Sequence, residues 1–119
     1  MGARLVNRDN QQVVASDLEL AYTFFSRLKG LMGRPSLAPG HGLEIRPCNS
    51  VHTCFMRFEL DLLFLDANRR ILHLERAMRP WRLSRIVKGA VMVIELPAGT
   101  IAAAGCKEGQ LLELLINPA

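Results

Sequence analysis

Aromatic side chains are scarce in this chain. Phe, Trp and Tyr make up 6% of its 119 residues, with a single Trp and a single Tyr. A core built from this sequence must therefore be aliphatic. A surface that stacks successive nucleic-acid bases is not expected either, because such surfaces interleave aromatics with basic residues. Long apolar runs are also missing. None approaches the roughly 20 residues that cross a bilayer, and residues 1–12 hold no apolar block of the kind a secretory signal needs. Val6 stands where a myristoylation signal would have Ser or Thr. There are three cysteines, Cys48, Cys54 and Cys106. An odd number without a leader points to reduced thiols in a cytoplasmic protein, and no membrane partner is expected. The chain also lacks a nucleophile elbow, a phosphate-binding glycine loop and a complete metal-ligand set. No cofactor and no metal is expected.

What is present fits one domain over residues 1–119. Half of the residues are hydrophobic and 22% are charged, the composition of an ordinary globule. The formal charge is +4. That suits an anionic partner, and equally a soluble protein held away from zero net charge.

Alternation and turn residues predict a mainly β chain. Ala3–Asn7 and Val13–Ala15 read as a hairpin around Arg8-Asp9-Asn10-Gln11. Ser16 stands three residues before Glu19, a capping-box pattern. Apolar residues then step through Ala21, Phe24, Phe25, Leu28, Leu31 and Met32, the spacing of one buried helix face. Gly33 and Pro35 stop it. Leu43–Arg46 reads as a short strand ended by Pro47. From Cys54 to Phe64 the apolar residues alternate with period two, so Cys54, Met56, Phe58, Leu60, Leu62 and Phe64 share a face of one long strand. A bend is expected near Arg57–Leu60. Arg70–Glu75, Ala90–Leu96 and Leu111–Ile116 complete the strands. The expected architecture is an antiparallel β-barrel or sandwich of about seven to eight short strands, with one main helix near the N-terminus.

Four residues stand out as candidates for a binding pocket: His52, Arg57, Asp61 and Glu95. Arg57 and Asp61 fall on the polar face of an apolar strand, where each must be paired or solvated. They are read either as an ion pair fixing the bend or as a pocket in which the planar Arg57 fork receives a carboxylate or phosphate. Glu95 ends an apolar run, either capping a turn, pairing with an Arg or acting as a perturbed base. His52 with Cys48 and Cys54 has neither the spacing nor the second ligand pair of a zinc site. Arg76, Arg79, Arg82, Arg85 and Lys88 recur every three residues, with no acid between Arg76 and Glu95. Arg79, Arg82 and Arg85 form either a solvated surface or a basic rim to a site, with Trp81 as an anchor.

Three motifs, read together, resemble one family. They are Arg27-Leu28-Lys29-Gly30-Leu31-Met32-Gly33-Arg34, then His52-Thr53-Cys54-Phe55-Met56-Arg57 followed by Asp61 and Phe64-Leu65-Asp66, then Glu95-Leu96-Pro97-Ala98-Gly99-Thr100 followed by Gly105 and Gly109. Their order and spacing over Val14–Glu113 resemble the domain of unknown function 192. The resemblance implies a compact β-rich fold with a covering helix, and it brings no catalytic residues. The chain departs from common members at His52-Thr53, Arg57, Glu59 and Gln110.

The function expected from the sequence is a binding module for an anionic small molecule or peptide, through a pocket near Arg57 and Asp61. The alternatives are a small acid/base or metal-assisted enzyme and a non-catalytic protein-interaction domain. Nucleic acid is not an expected partner, and the oligomeric state stays open.

Overall fold

The computed structural model describes residues 2–116. The expected hairpin forms between β1 (Ala3–Asn7) and β2 (Val13–Ala21). Its turn is held by side chains: Asn7 Oδ1 accepts from the Asp9 N–H at 3.0 Å, and Asn10 Oδ1 from the Gln12 N–H at 2.9 Å. These are the local bonds that make Asn a turn residue.

The predicted helix is strand in its first part and helix only in its second. β2 runs on to Ala21, and α1 covers only Phe24–Lys29. Register shifts between β1 and β2 bring both Val14 and Ala15 into the core, with Leu18 and Ala21 following at intervals of three. A bulged strand thereby imitates a helical period. The Ser16–Glu19 pattern is spent elsewhere. The Ser16 N–H donates to the Gly40 carbonyl at 2.9 Å, and Glu19 pairs with Arg34 at 2.7 Å. The capping box lies at Thr23 and Ser26, which bond reciprocally. No residue of α1 is buried, so Phe24, Phe25 and Leu28 face outward rather than into a core.

The remaining elements are β3 (His41–Ile45), β4 (Leu60–Leu65), β5 (Ile71–Met78), β6 (Met92–Pro97), α2 (Thr100–Ala104) and β7 (Leu112–Ile116). They form one seven-stranded sheet in the order β5-β4-β6-β3-β2-β1-β7. The expected antiparallel sheet is in fact mixed, because β2 and β3 run parallel, joined by the α1 crossover. The sheet curls into a half-barrel. Its edges meet at one end only, where the Leu112 N–H donates to the Arg69 carbonyl and the Ile71 N–H to the Gln110 carbonyl, both at 2.9 Å.

The expected long strand from Cys54 begins only at Leu60. Phe55 has φ +65°, a left-handed conformation that breaks any ladder. The predicted bend is thus a full interruption. From Leu60 onward the reading holds, and β4 is buried along its whole length. Its side chains divide between two cores. Leu63 and Leu65 pack with Leu5, Leu18, Ile94 and Ile101. Leu60, Leu62 and Phe64 pack on the opposite face with Met56, Ile45, Val93 and Val87. At about 2 kcal/mol for each large side chain removed from water, these clusters supply the dominant stabilisation.

Residues 79–88 form a strap without regular secondary structure beyond an isolated bridge between Leu83 and His52. It lies along 49–53, with the Ser84 N–H on the Val51 carbonyl at 2.8 Å and the Val87 N–H on the Asn49 carbonyl at 3.0 Å. The period of three has a plain cause: Ser84, Val87 and Ala90 face the core, while the residues between them face outward.

Candidate functional site

The structure does not bring Arg57 and Asp61 together. Asp61 is buried, and its carboxylate is filled by three backbone donors: Ala77 N at 2.8 Å, Gly99 N at 3.0 Å and Ile101 N at 2.9 Å. Gly99 precedes α2 and offers no side-chain cap, so Asp61 satisfies that helix start from across the sheet. It also fixes Ala77, which has φ +48°. Arg57 lies outside β4 on the surface, in no ion pair among the described residues. The alternation that put the two on one face assumed a continuous strand, and the chain turns between them.

Glu95 and His52 do meet around one cavity. It has a volume of about 320 Å³ and opens between α1, the Pro47–His52 segment and the strap. Its walls are mainly apolar, including Leu31, Ile45, Val51, Met56 and Leu83. Arg27, Lys29, Cys48, Ser50, His52 and Glu95 bring the side chains that can titrate or hydrogen-bond.

Several of these are placed by local features. Glu95 sits on the interior strand β6, opposite Leu43 of β3 and Leu62 of β4. It is 3% exposed, and its Oε1 has no hydrogen-bond partner. Burial pushes its carboxyl up to about 7, against a smaller downward pull from the Arg34 guanidinium. Gly30, at the C-terminal end of α1, faces that oxygen; a Cβ there would stand 3.8 Å from Oε1. Arg27 reaches in from α1, donating from Nη1 to the Pro47 carbonyl at 3.3 Å, while its buried Nε has no partner. Cys48 donates to the Ser50 carbonyl at 3.0 Å, and burial raises its thiol pKa. It is therefore a protonated wall group rather than a ready nucleophile. His52 stands exposed at the mouth, its Nδ1 accepting the Cys54 N–H at 3.2 Å. That bond leaves the proton on Nε2, pointing the donor away from the turn.

The cavity thus holds a buried acceptor and a buried donor without protein partners, in an apolar surround. Such groups carry a cost that a bound molecule can relieve. No cluster of His, Cys, Asp and Glu suited to a metal occurs among the described residues.

The predicted basic rim is exposed at Arg79, Arg82 and Arg85 along the strap. Leu83, between the last two, contributes to the cavity wall. The sequence reading missed Arg27 as a site residue. Its signal was the Arg27-x-x-Gly30 spacing, in which the glycine leaves open the space that the arginine borders.

A second polar centre was also missed. Glu44 on β3 is fully buried and takes a bidentate pair from Arg69, whose Nη2 lies 2.9 Å from Oε2, together with the Tyr22 hydroxyl. Both of its oxygens are engaged by protein donors, so it is a structural knot rather than a site.

Several proteins are similar to this chain in sequence. A UPF0127 protein of Thermococcus sibiricus is 37% identical over 103 residues, covering 82% of this chain and 65% of that protein. A UPF0127 protein of Pyrococcus furiosus is 31% identical over 112 residues, covering 92% of this chain and 96% of that one. The fold matches a crystal structure of a protein of unknown function from Novosphingobium aromaticivorans, with a TM-score of 0.81 at 23% identity, over 95% of this chain and 84% of that one. The chain thus spans slightly less than two thirds of the Thermococcus sibiricus relative. The family model described as Uncharacterized ACR, domain of unknown function 192, matches residues 5–114, and the chain belongs to that family.

Proposed function

We propose that this domain is a binding module for a small amphipathic molecule seated in the cavity between α1 and the strap. The observation that carries this reading is the pair of unpartnered buried polar atoms, Glu95 Oε1 and Arg27 Nε, in a mainly apolar pocket. Pockets of a few hundred cubic ångströms with few, placed polar groups are the usual form of small-ligand sites. The ligand has an apolar body for Leu31, Val51 and Met56, and a polar head that gives Arg27 an acceptor. A carboxylic acid head fits both atoms. Its anionic oxygen takes the Arg27 N–H, and it shares a proton with Glu95, whose raised pKa keeps that proton available near neutrality. The anionic ligand class expected from the sequence is retained; among the candidate residues His52 and Glu95 stay at the site, and Arg27 takes the place of Arg57 and Asp61.

The test is calorimetry and thermal shift with short branched and straight carboxylic acids and their amides, between pH 6 and pH 8. Carboxylate binding should weaken as pH rises through about 7. Arg27→Ala should abolish it, and Glu95→Gln should make it independent of pH. If no acid or amide stabilises the wild type more than these variants, the cavity is not a binding site.

A further inference from the structure

The outer rim of this cavity holds a second feature, independent of what fills the cavity. Large apolar side chains project into solvent from three adjacent segments. Phe24, Phe25 and Leu28 come from α1, Phe55 from the turn after Thr53, and Trp81, Leu83 and Ile86 from the strap. Phe25 and Leu83 are each 78% exposed. The segments adjoin. Phe24, Leu28 and Leu83 share the cavity mouth, and the Phe55 and Trp81 rings lie against each other with centroids 4.8 Å apart.

The protein holds these aromatics out at a conformational cost. Phe55 has φ +65° and Trp81 φ +62°, a left-handed region unfavourable for bulky residues. Buried Thr53 imposes both. Its carbonyl accepts the Trp81 N–H at 3.0 Å and the Met56 N–H at 3.1 Å, and its hydroxyl donates to the Arg79 carbonyl at 2.6 Å. The Arg82 N–H returns to that hydroxyl at 2.8 Å. One buried threonine thus ties two loop tips together and turns an aromatic outward from each.

The charges next to these knobs in sequence are mainly basic, with Glu59 the exposed acid that follows Arg57. Arg79, Arg82, Arg85 and Lys88 are exposed along the strap, Lys29 lies on α1, and Arg57 follows Phe55. The strap contains no acid, and the next one in sequence, Glu95, is buried below it. Arg82 flanks Trp81 and Leu83, and Arg85 flanks Ile86, so base and apolar group alternate on the outward side.

We propose that this face docks on an anionic lipid bilayer surface. Projecting aromatic and aliphatic tips interspersed with Arg and Lys suit a headgroup region, where the apolar tips enter the acyl boundary and the bases meet lipid phosphates. Each of these side chains is more than half exposed, so a surface that deforms around them suits them better than a rigid protein groove. No helix among the described residues is long and apolar enough to cross a membrane, and surface docking requires none. The sequence, with no spanning run, leader or myristoylation signal, led to no membrane partner being expected; the proposal departs from that expectation on the strength of the exposed side chains.

The single tryptophan is Trp81, so its fluorescence reports on this face directly. Vesicles of phosphatidylcholine with roughly 30% phosphatidylglycerol, to supply an anionic surface, are mixed with the full chain in low salt. The expected result is a blue shift of Trp81 emission with co-sedimentation. Both should be lost with pure phosphatidylcholine and weakened by salt. Reversal of the exposed bases in an Arg82→Glu/Arg85→Glu/Lys88→Glu variant, with unchanged circular dichroism, should lower partitioning by about tenfold or more. A Leu83→Ser/Ile86→Ser variant should also bind weakly while leaving Trp81 as the reporter. Emission unchanged by anionic vesicles, or equal binding by the charge-reversed variant, overturns the proposal. A lipid-free dimer with Trp81 already blue-shifted overturns it in favour of contact between two copies of the chain.

Discussion

Replacing Glu95 by Gln should make the protein more stable at alkaline pH, with a pH dependence fixed by the burial of one carboxyl. Glu95 is 3% exposed and its Oε1 has no partner, so ionisation in the folded state is penalised. Its pKa rises from the ordinary 4.5 to about 7. The unfolded chain restores the ordinary value. Between these two pH values the folded state holds more protons than the unfolded state, and stability therefore falls as pH rises. The loss starts near pH 4.5 and is complete a little above 7. At 1.36 kcal/mol per pH unit it amounts to about 3 kcal/mol, a large share of the roughly 5–15 kcal/mol of a domain. Gln keeps the shape and cannot ionise. Urea unfolding of both proteins at intervals from pH 4 to pH 8.5 gives the difference, in which other titrating groups cancel. The wild type should lose about 3 kcal/mol relative to Glu95→Gln across that range, with unchanged urea dependence of unfolding. Parallel stability curves would refute the reasoning, since they would mean that the carboxyl is solvated or paired in the native state.

Other perturbations separate structural from functional polar groups. Asp61→Ala leaves three buried backbone donors unsatisfied at Ala77, Gly99 and Ile101. It should cost about 3–5 kcal/mol in chemical denaturation, at 1–3 kcal/mol per orphaned group with some recovery by water. Arg57→Ala should change stability by less than about 0.5 kcal/mol, because exposed, unpaired side chains contribute little. Arg69→Ala strands the fully buried Glu44 and should cost about 3–5 kcal/mol, a loss measurable as a lowered Tm. Thr53→Val removes the hydroxyl that bonds both Arg79 and Arg82. Hydrogen exchange should then speed up in residues 79–88 while the sheet stays protected.

The sheet was legible where patterning and turn chemistry agreed. β4 and β6 appear as apolar runs broken only by Asp61 and Glu95, because both faces of their strands are buried. The Asn-rich first turn declares itself through side chains that replace backbone partners. The error at Ser16–Met32 arose because a bulged strand repeats its buried residues every three positions, as a helix does. Only the pairing of β2 with β3, residues distant in sequence, separates the two. The site was half visible. Glu95 could be identified as a carboxyl on a buried strand, while its opposite wall, Arg27 and Gly30, comes from a crossover whose path depends on that parallel pairing. Asp61 was read as chemistry because a charge in an apolar strand demands a partner; the partners are main-chain groups, which a sequence does not display.

The β1–β7 ladder places Ala3 directly opposite Ile116. Neighbouring strands are about 5 Å apart, so a short linker could join the two ends of the described sheet. New ends could then be opened in the exposed Arg8–Gln12 turn, and the same strands would be read in a different chain order. The half-barrel is in this sense indifferent to its point of entry. The cavity at α1 lies in the crossover between β2 and β3, and such a permutation would leave its walls covalently intact.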